Sequence, residues 1–300
     1  MPMRLLLIAM TLTATCSSFA QEAEFENLQK SSSGPALTGF DLRYINDSNP
    51  AKAEFERDIE STDSVLLRAT GTLYSRLLTQ QSNLLGGLSF NGSASYEHNI
   101  DIDLLGESRY RLSADWFREY TTASLAPFYR LSLGLGYLDS ESPIRDSAIV
   151  DVSASVNLQP TNFFDSTLGL RFEVREADTE VFDTTKTTAF ITANFSPFER
   201  LILRTGLRYV TGDEVSTATP TSTIVSVADA IELDDAFAGG DEDRFAYLLD
   251  ADSVLFELGV GYVVSDAIET NLLYRNISTN ADEGIGYDRD MVELTISYSL

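Results

Sequence analysis

The last ten residues of the chain, MVELTISYSL at 291–300, alternate strictly between apolar and polar side chains. One face carries the large apolar residues Val292, Leu294, Ile296, Tyr298 and Leu300. The other face carries Glu293, Thr295, Ser297 and Ser299. Because successive side chains of a β-strand point to opposite sides, this period of two predicts a strand with one apolar and one polar face.

The same alternation recurs along the chain, for example at 167–175, 201–209 and 254–262. The apolar faces run over about five alternate positions, near the ~10-residue length of a membrane-spanning strand. Strands of soluble sandwiches are shorter, at ~5–6 residues. The polar faces carry charged residues and glycines in mid-strand, which suits a crowded, watery lumen. The pattern therefore predicts an all-β chain that forms a single transmembrane, antiparallel, up-and-down β-barrel.

Twelve strands are predicted, at 35–45, 64–78, 86–98, 108–118, 127–138, 147–158, 163–175, 184–195, 200–211, 253–264, 267–277 and 290–300. An even number places both ends of the barrel chain on one side of the membrane. The connections 159–162, 196–199 and 265–266 are tight, whereas 46–63 and 212–252 are long. Short periplasmic turns and longer outer loops are typical of outer-membrane barrels, so the long acidic loop 212–252 is predicted to face outward.

Aromatic residues fall into two groups along these strands, as expected for belts at the two membrane interfaces. The group predicted at the short-turn end consists of Trp116, Phe128, Tyr129, Phe163, Phe164, Phe195, Phe198 and Tyr298. The group predicted at the long-loop end consists of Tyr44, Tyr110, Tyr137, Tyr209 and Tyr274.

Residues 1–20 have the features of a cleaved secretory signal peptide. Arg4 supplies a positive charge, 5–15 form a short apolar core, and Ser18-Phe19-Ala20 offers small residues at the positions that signal peptidase reads. The segment therefore predicts export from the cytoplasm and a place in the outer membrane of a Gram-negative bacterium.

Cleavage before Gln21 would leave a periplasmic tail, 21–34, followed by the barrel, 35–300. The only cysteine, Cys16, falls inside the signal. Residues 13–15 before it make a poor lipoprotein box, so lipidation is the less favoured interpretation. A mature chain without cysteine has no disulfide or thiolate metal site, and no cofactor is predicted.

With these features the chain resembles the broad class of Gram-negative outer-membrane β-barrel proteins. The resemblance rests on the signal peptide, on the terminal strand Met291–Leu300, and on the hairpin from 270–276 to Tyr287-Asp288, which is similar to the closing hairpin of porin-like and small barrels. It implies that the last strand is recognised by the barrel-assembly machinery. Leu300 departs from the aromatic residue that usually ends such proteins.

The predicted outer connections concentrate the negative charge of the chain. The formal net charge is −25, and these connections hold 31 of the 46 acidic residues but only five basic ones. This charge excludes nucleic acid as a partner, because a phosphate backbone would be repelled. We expect the acidic surface to meet lipopolysaccharide phosphates through divalent cations, and to give any pore a weak preference for cations at low salt.

The polar faces of the predicted strands carry many arginines and carboxylates toward the lumen. The candidate lumen-lining residues are Arg43, Arg68, Arg76, Arg111, Asp115, Arg130, Asp151, Arg171, Glu173, Arg175, Arg204, Arg208, Glu257, Glu269, Arg275 and Glu293. Arginine suits this place, because its planar group binds carboxylates in two-point contacts and stays charged. Two interpretations stay open: a charged path for solutes, or a ladder of ion pairs that fills a narrow barrel.

Catalytic and metal-binding interpretations are less favoured. His98, the only histidine, falls on the lipid-facing side with Tyr96, and the His-x-Ser arrangement of outer-membrane lipases is missing, although Ser108 could lie across the hairpin. A second group of residues could chelate Ca²⁺ through carboxylate oxygens, namely Asp234, Asp235, Asp241, Glu242 and Asp243. Their spacing does not match an EF-hand, so a solvated acidic loop is the favoured interpretation.

Three functions are therefore considered, in descending order. The first is a porin-like channel for small solutes. The second is a structural or surface-interaction barrel with a blocked lumen. The third is an envelope lipid hydrolase, although the sequence favours a protein that is not an enzyme.

Overall fold

The computed structural model describes residues 36–81, 84–120, 127–237 and 243–300. The predicted signal peptide, 1–20, and tail, 21–34, lie outside these residues. Twelve long strands form a closed, antiparallel, up-and-down β-barrel, which confirms the predicted fold class.

Thirteen strands occur within the described residues. They are β1 (Ala36–Asp47), β2 (Thr62–Gln81), β3 (Leu84–Asn99), β4 (Glu107–Glu119), β5 (Phe128–Ser140), β6 (Ser147–Thr161), β7 (Phe164–Ala177), β8 (Thr184–Phe198), β9 (Leu201–Ala218), β10 (Ala230–Leu233), β11 (Phe245–Ser265), β12 (Ile268–Ala281) and β13 (Gly286–Ser299). All twelve predicted strands are present, and most of them extend a few residues further than predicted. Strand β10 was not predicted.

Each strand pairs with the next along the chain, except around β10. Strand β9 pairs directly with β11 from Leu201–Tyr262 to Ala218–Phe245, and β13 pairs with β1 from Gly39–Ser299 to Asp47–Met291. The second pairing closes the ring. Strand β10 is not one of the twelve strands of the ring and pairs only with the first residues of β11, at the loop end.

The barrel is apolar outside and polar inside. Leu133 and Leu170 on the outer wall are 49% and 59% exposed, whereas Asp115 and Asp151 on the inner wall are 1% and 2% exposed. This is the reverse of a soluble protein, in which carboxylates face water and leucines are buried. An apolar band around the whole circumference is the surface that a lipid bilayer requires.

The two ends of the barrel differ in their connections. At one end, which we call the turn end, β6–β7, β8–β9 and β11–β12 are joined by two residues each, at 162–163, 199–200 and 266–267. At the other end, the loop end, the connections are 48–61, 100–106, 141–146, 178–183, 219–244 and 282–285. None of the helices in the described residues is long and apolar enough to cross a membrane.

The segment 212–252, predicted to be a loop, is in large part regular structure. Strand β9 continues to Ala218, β11 begins at Phe245, and a short helix, α1 (Ser222–Val227), and β10 lie between them. Residues 213–218 and 245–250 mix acidic and apolar side chains without a clean alternation, which concealed the strands. Gly212 adopts a φ of +121° where β9 loses its partner β8 and continues with β11 alone.

One predicted belt residue is wrong. Phe128 is 4% exposed and stacks on Phe117 inside the barrel, with ring centroids 5.8 Å apart. Its neighbour Tyr129 faces outward and is 43% exposed. Since adjacent residues of a strand point to opposite faces, both could not belong to the outer belt.

Candidate functional site in the barrel lumen

The candidate lumen residues whose side chains the structure describes all belong to the inner wall, where most of them form ion pairs. Only the side chain of Arg76 lies outside the description. One network begins at β2, where Arg68 contacts Asp41 of β1. Arg43 Nη2 then lies 3.5 Å from Asp41 Oδ2, and Arg43 Nη1 lies 3.3 Å from Oε1 of Glu293 in β13.

The same network continues over three further strands. Arg275 of β12 lies 2.8 Å from Glu293 and 3.4 Å from Glu257 of β11. Arg208 of β9 lies 3.4 Å from the same Glu257 oxygen. The chain of ion pairs therefore follows the inner wall from β2 through β1, β13, β12 and β11 to β9.

A second network covers the opposite part of the wall. Asp151 of β6 accepts from Arg111 of β4 at 2.8 Å and lies 3.3 Å from Arg171 of β7. Arg171 also lies 2.5 Å from Glu173 on its own strand. Strand β5 stands between Arg111 and Asp151, and its inward residue there is Gly134.

Mid-strand glycines make room for these long side chains. A Cβ atom at Gly134 would lie 2.1 Å from Asp151 Oδ2 and 2.5 Å from Arg111 Nη2. A Cβ atom at Gly206 would lie 2.7 Å from Glu257. Gly134 and Gly206 are therefore positions over which a neighbouring charged side chain lies.

Two smaller groups complete the inner wall. Arg130 of β5 donates to Asp115 of β4 at 3.0 Å, and Asn91 of β3 donates to the same carboxylate at 2.8 Å. Arg204 of β9 lies 2.5 Å from Glu269 of β12. All the ion pairs of the inner wall lie within one strand, join adjacent strands, or join strands separated by one other strand. No ion pair among the described wall residues spans from one side of the barrel to the other.

The loop end is covered by packed connections, which we call the cap (residues 48–61, 213–237 and 243–250). The first connection crosses the mouth from β1 to the extended part of β9. There the Thr217 amide donates to the Ala51 carbonyl at 2.8 Å, and the Ser216 hydroxyl donates to the Lys52 carbonyl at 2.8 Å. Since β1 and β9 lie in different parts of the ring, these bonds do bridge the opening.

A half-buried charge cluster holds the first connection in place. Glu214 contacts Lys52 through one carboxylate oxygen, and its other oxygen accepts from Lys186 at 2.9 Å. Burial lowers the pKa of Lys52 to about 8, although the neighbouring Glu214 carboxylate acts in the opposite direction. Lys186 follows the alternation of β8, on the same face as Phe190, so the sequence pattern alone could have identified it.

The acidic residues proposed for Ca²⁺ are used differently. Asp234 is fully buried and accepts from Arg145 at 2.6 Å and from the Thr217 hydroxyl at 2.6 Å. Asp235 accepts from the Ser142 hydroxyl. Asp241 and Glu242 lie outside the described residues, and Asp243 is exposed. Within the described residues, no group of three candidate metal ligands is found.

Apolar contacts also hold the cap together. Tyr247 is fully buried and belongs to one cluster with Ile224 of α1 and Ile285 of the β12–β13 connection. Phe237 packs on Ala51 and Ala53 of the first connection. The cap is thus a small packed core with contributions from several loops, rather than a set of solvated acidic loops.

A cavity of about 320 Å³ lies beneath the cap. Seven basic side chains line it, against three carboxylates, those of Asp151, Glu173 and Glu214. The basic residues are Lys52, Arg109, Arg111, Arg145, Arg171, Arg175 and Lys186. Among its charged lining residues, the sequence analysis identified Arg111, Asp151, Arg171, Glu173 and Arg175. It missed the strand residues Arg109 and Lys186, and it missed Lys52, Arg145 and Glu214, which belong to the loop end.

His98 is exposed on the outer wall and pairs in register with Val65, as the alternation predicted. Ser108 lies opposite Tyr96 rather than opposite His98. The arrangement shows no nucleophile beside a base at this position.

Comparison with protein-family models and with curated protein sequences gives no match. Solved structures do match. An outer membrane channel from Pseudomonas putida F1 superposes with a TM-score of 0.52 at 11% identity, covering 89% of this chain and 97% of that one. The NanC porin gives a TM-score of 0.47 at 8% identity over 88% and 100% of the two chains, and the KdgM porin in complex with disordered oligogalacturonate gives 0.43 at 10% identity over 87% and 99%. The chain therefore has the β-barrel fold found in that outer membrane channel.

Proposed function

We propose that this protein is an outer-membrane channel for small solutes, with a loop-end cap that moves to admit them. The observation that carries the proposal is the direction of the ion pairs. On the inner wall they run along the wall, and no ion pair among the described wall residues crosses the lumen. Charged side chains that are held flat against the wall leave the middle of the lumen to water and solute.

Strand number supports the same proposal. Barrels of about eight strands have an interior that side chains fill, whereas barrels of ~16–18 strands enclose a wide aqueous channel. Twelve strands lie between these limits. Polar side chains line the interior, so the space that they leave is a wet path rather than an apolar core.

The cap favours the second candidate function, a structural or surface-interaction barrel. Its first connection crosses the mouth, and three carboxylates are bound within it, those of the buried Asp58 and Asp234 and of the half-buried Glu214. If the cap never moved, the lumen would be closed at this end. The two functions therefore differ in one measurable property, whether cap movement controls conductance.

The test is conductance of refolded protein in a planar bilayer, in variants that open or lock the cap. Replacing 220–243 by a short Gly-Ser turn, and 49–60 by another, removes the cover while both hairpins keep their strand pairing. We expect conductance to rise in each single variant and further in the double variant. A double variant that stays silent would contradict the channel and leave the structural barrel.

Locking is the complementary experiment. Replacing Ala51 and Thr217 by cysteine places two thiols on backbones that share a hydrogen bond. Because the only natural cysteine, Cys16, belongs to the predicted signal peptide, the new pair would be alone in the mature chain. We expect oxidation to suppress openings and reduction to restore them. The single Ala51→Cys variant is the control and should not respond to redox conditions.

The same proposal includes a location. We expect export through residues 1–20, a mature chain that begins at Gln21, and assembly into the outer membrane through the last strand, with the acidic loop end outward beside lipopolysaccharide. Protein from the outer-membrane fraction should show heat-modifiable gel mobility, because a closed barrel has no unpaired edge. Recovery as a soluble periplasmic protein would contradict this location.

A further inference from the structure

The cavity beneath the cap has more positive than negative side chains, and most of its bases are already bound. Lys52 and Lys186 share Glu214. Arg145 is held by Asp234, and Arg109 by Glu107, which lies 2.8 Å away. The remaining excess of positive charge therefore lies on the wall side of the cavity, on strands β4 to β7.

Arg175 of β7 is the basic residue of that wall that has no carboxylate partner in the described part of the protein. Its Nε donates to the Ser147 hydroxyl at 2.8 Å, and one terminal nitrogen donates to the Arg145 carbonyl at 2.8 Å. These neutral acceptors fix the orientation of the guanidinium but supply no negative charge. Nearby, Arg111 and Arg171 share Asp151, so three arginines on this wall face two carboxylates, those of Asp151 and Glu173.

A second feature is an unsatisfied donor. Nε of Arg145, which lines the same cavity, is buried and has no hydrogen-bond acceptor. A buried charged donor without an acceptor costs free energy, so an occupant whose oxygen atom reached Nε when the cap moves would be favoured. An oxyanion would answer both features, since it brings negative charge and acceptor atoms together.

Part of the remaining lining of the cavity is apolar. Leu138 and Phe182 are each 2% exposed, and Ile149 and Val215 also line it. Inorganic phosphate would make no use of such side chains. The volume of about 320 Å³ falls at the lower end of the ~300–1,000 Å³ range of small-molecule sites.

We infer that the cavity beneath the cap binds a small organic carboxylate, with its charged end on Arg175 and its apolar body against Leu138 and Phe182. This inference deepens the proposed channel function, on which it rests, by naming the class of solute. Glu214 shows the same chemistry within the chain: its carboxylate lies between two ammonium groups in the same cavity. An organic acid would enter when the cap moves, and would use the arginine side that Glu214 leaves free.

The test is isothermal titration calorimetry on the refolded full-length barrel in detergent, and on the variant that lacks 220–243, in which access is easier. The probe is pentanoate, and pentanamide is its neutral counterpart of the same shape. We expect pentanoate to bind and pentanamide to bind at least about tenfold more weakly, as expected for the loss of a charge-assisted hydrogen bond. Stronger binding of inorganic phosphate than of pentanoate would overturn the organic part of the inference.

Variants locate the site. Arg175→Gln should weaken pentanoate binding about tenfold or more, whereas Arg200→Gln, the same change at an exposed residue of the turn end, should leave it unchanged. The inference would be overturned if both variants bound pentanoate with equal affinity, or if pentanamide bound as tightly as pentanoate. It would also be overturned if neither form of the barrel bound pentanoate. Conductance of the cap-shortened barrel is measured separately, so a conducting barrel without pentanoate binding would refute the solute class and leave the channel standing.

Discussion

Arg111 and Asp151 form an ion pair across an intervening strand, because Gly134 leaves an open space between them. Arg111 Nη2 and Asp151 Oδ1 are 2.8 Å apart, although β5 separates their strands. Asp151 is 2% exposed, and the guanidinium groups of Arg111 and Arg171 balance its buried negative charge. The absence of a side chain at Gly134 is therefore necessary for this ion pair.

Gly134→Ala should destabilise the barrel. The new Cβ would lie 2.1 Å from Asp151 Oδ2, so the pair must separate. Breaking a buried ion pair costs ~3–5 kcal/mol, and we expect a loss approaching that range in urea unfolding of the refolded protein. Gly136→Ala, two residues along the same face, meets its nearest atom at 3.4 Å and should cost far less. Equal losses would show that Gly134 has no special role.

A charge should be tolerated on the inner wall but not on the outer one. Leu170→Arg places a guanidinium in the lipid near mid-strand, at a cost of ~2–4 kcal/mol. Thr192→Arg places the same group on the inner wall of β8, the strand that pairs with β7, where water can solvate it. The measurement is the urea midpoint of both variants in lipid vesicles. A similar loss in both would contradict the assignment of faces.

Gly212 should control the position of the cap. Its φ of +121° is strained for other residues, and a Cβ there would lie 2.1 Å from the Thr185 carbonyl oxygen. Gly212→Ala should therefore displace the extended part of β9, with Glu214, and raise conductance. Gly284→Ala is the matched control, since Gly284 also has a positive φ, of +78°, but a Cβ there meets nothing within 4 Å. An equal change in conductance in both variants would show that backbone strain alone, which costs ~1–3 kcal/mol, causes the effect.

Closure of the cap should become more favourable as the pH rises from about 8 to about 10.5. Lys52 has a pKa of about 8 when it is packed, below its ordinary value of 10.5, so the open form holds a proton that the closed form has lost within this window. Glu214 keeps Lys186 as a partner when Lys52 becomes neutral. Protease cleavage within 49–60 should slow over this range. Lys52→Met should abolish that dependence, and faster cleavage of the parent at high pH would contradict the sign.

Exposed acidic residues of the loop end should favour cations at low salt. Asp234 is buried with Arg145, whereas Asp101, Asp103, Asp178 and Glu180 are exposed. We expect a weak cation preference in the reversal potential of the cap-shortened barrel. Changing these four residues to Asn or Gln should shift it toward anions, and the shift should vanish near 1 M salt, where the Debye length is ~3 Å. A shift that is independent of salt would contradict screening by solvent.

The sequence predicted the barrel because a barrel wall obeys a local rule. Alternation identifies each strand without knowledge of its partner, and it also identifies the inner arginines. It failed at β10 and at the ends of β9 and β11, where residues pack in the cap and have neighbours on both faces. No period of two survives there, since neither face is uniformly lipid or water.

The candidate site was predicted only in part for a related reason. Arg111, Asp151, Arg171 and Arg175 follow from the period of the strands. The role of Asp234 does not, because its partner Arg145 lies 89 residues away in another loop. Acidic residues that look solvated in the sequence became buried partners of distant bases, and only the fold brings them together.

The seam between β1 and β13 joins the two ends of the barrel chain, and three side-chain contacts mark it: Arg43 with Glu293, Ser297 with Asp41 at 2.8 Å, and Arg289 with Asp47 at 2.9 Å. These partners are far apart in the chain and meet only when the sheet closes. Sliding one strand by two residues would keep every side chain on its proper face but would separate all three pairs. The seam thus distinguishes the native register from a shifted one. A sheet that closed in the shifted register would lack these contacts, and would therefore be less stable and reopen more readily.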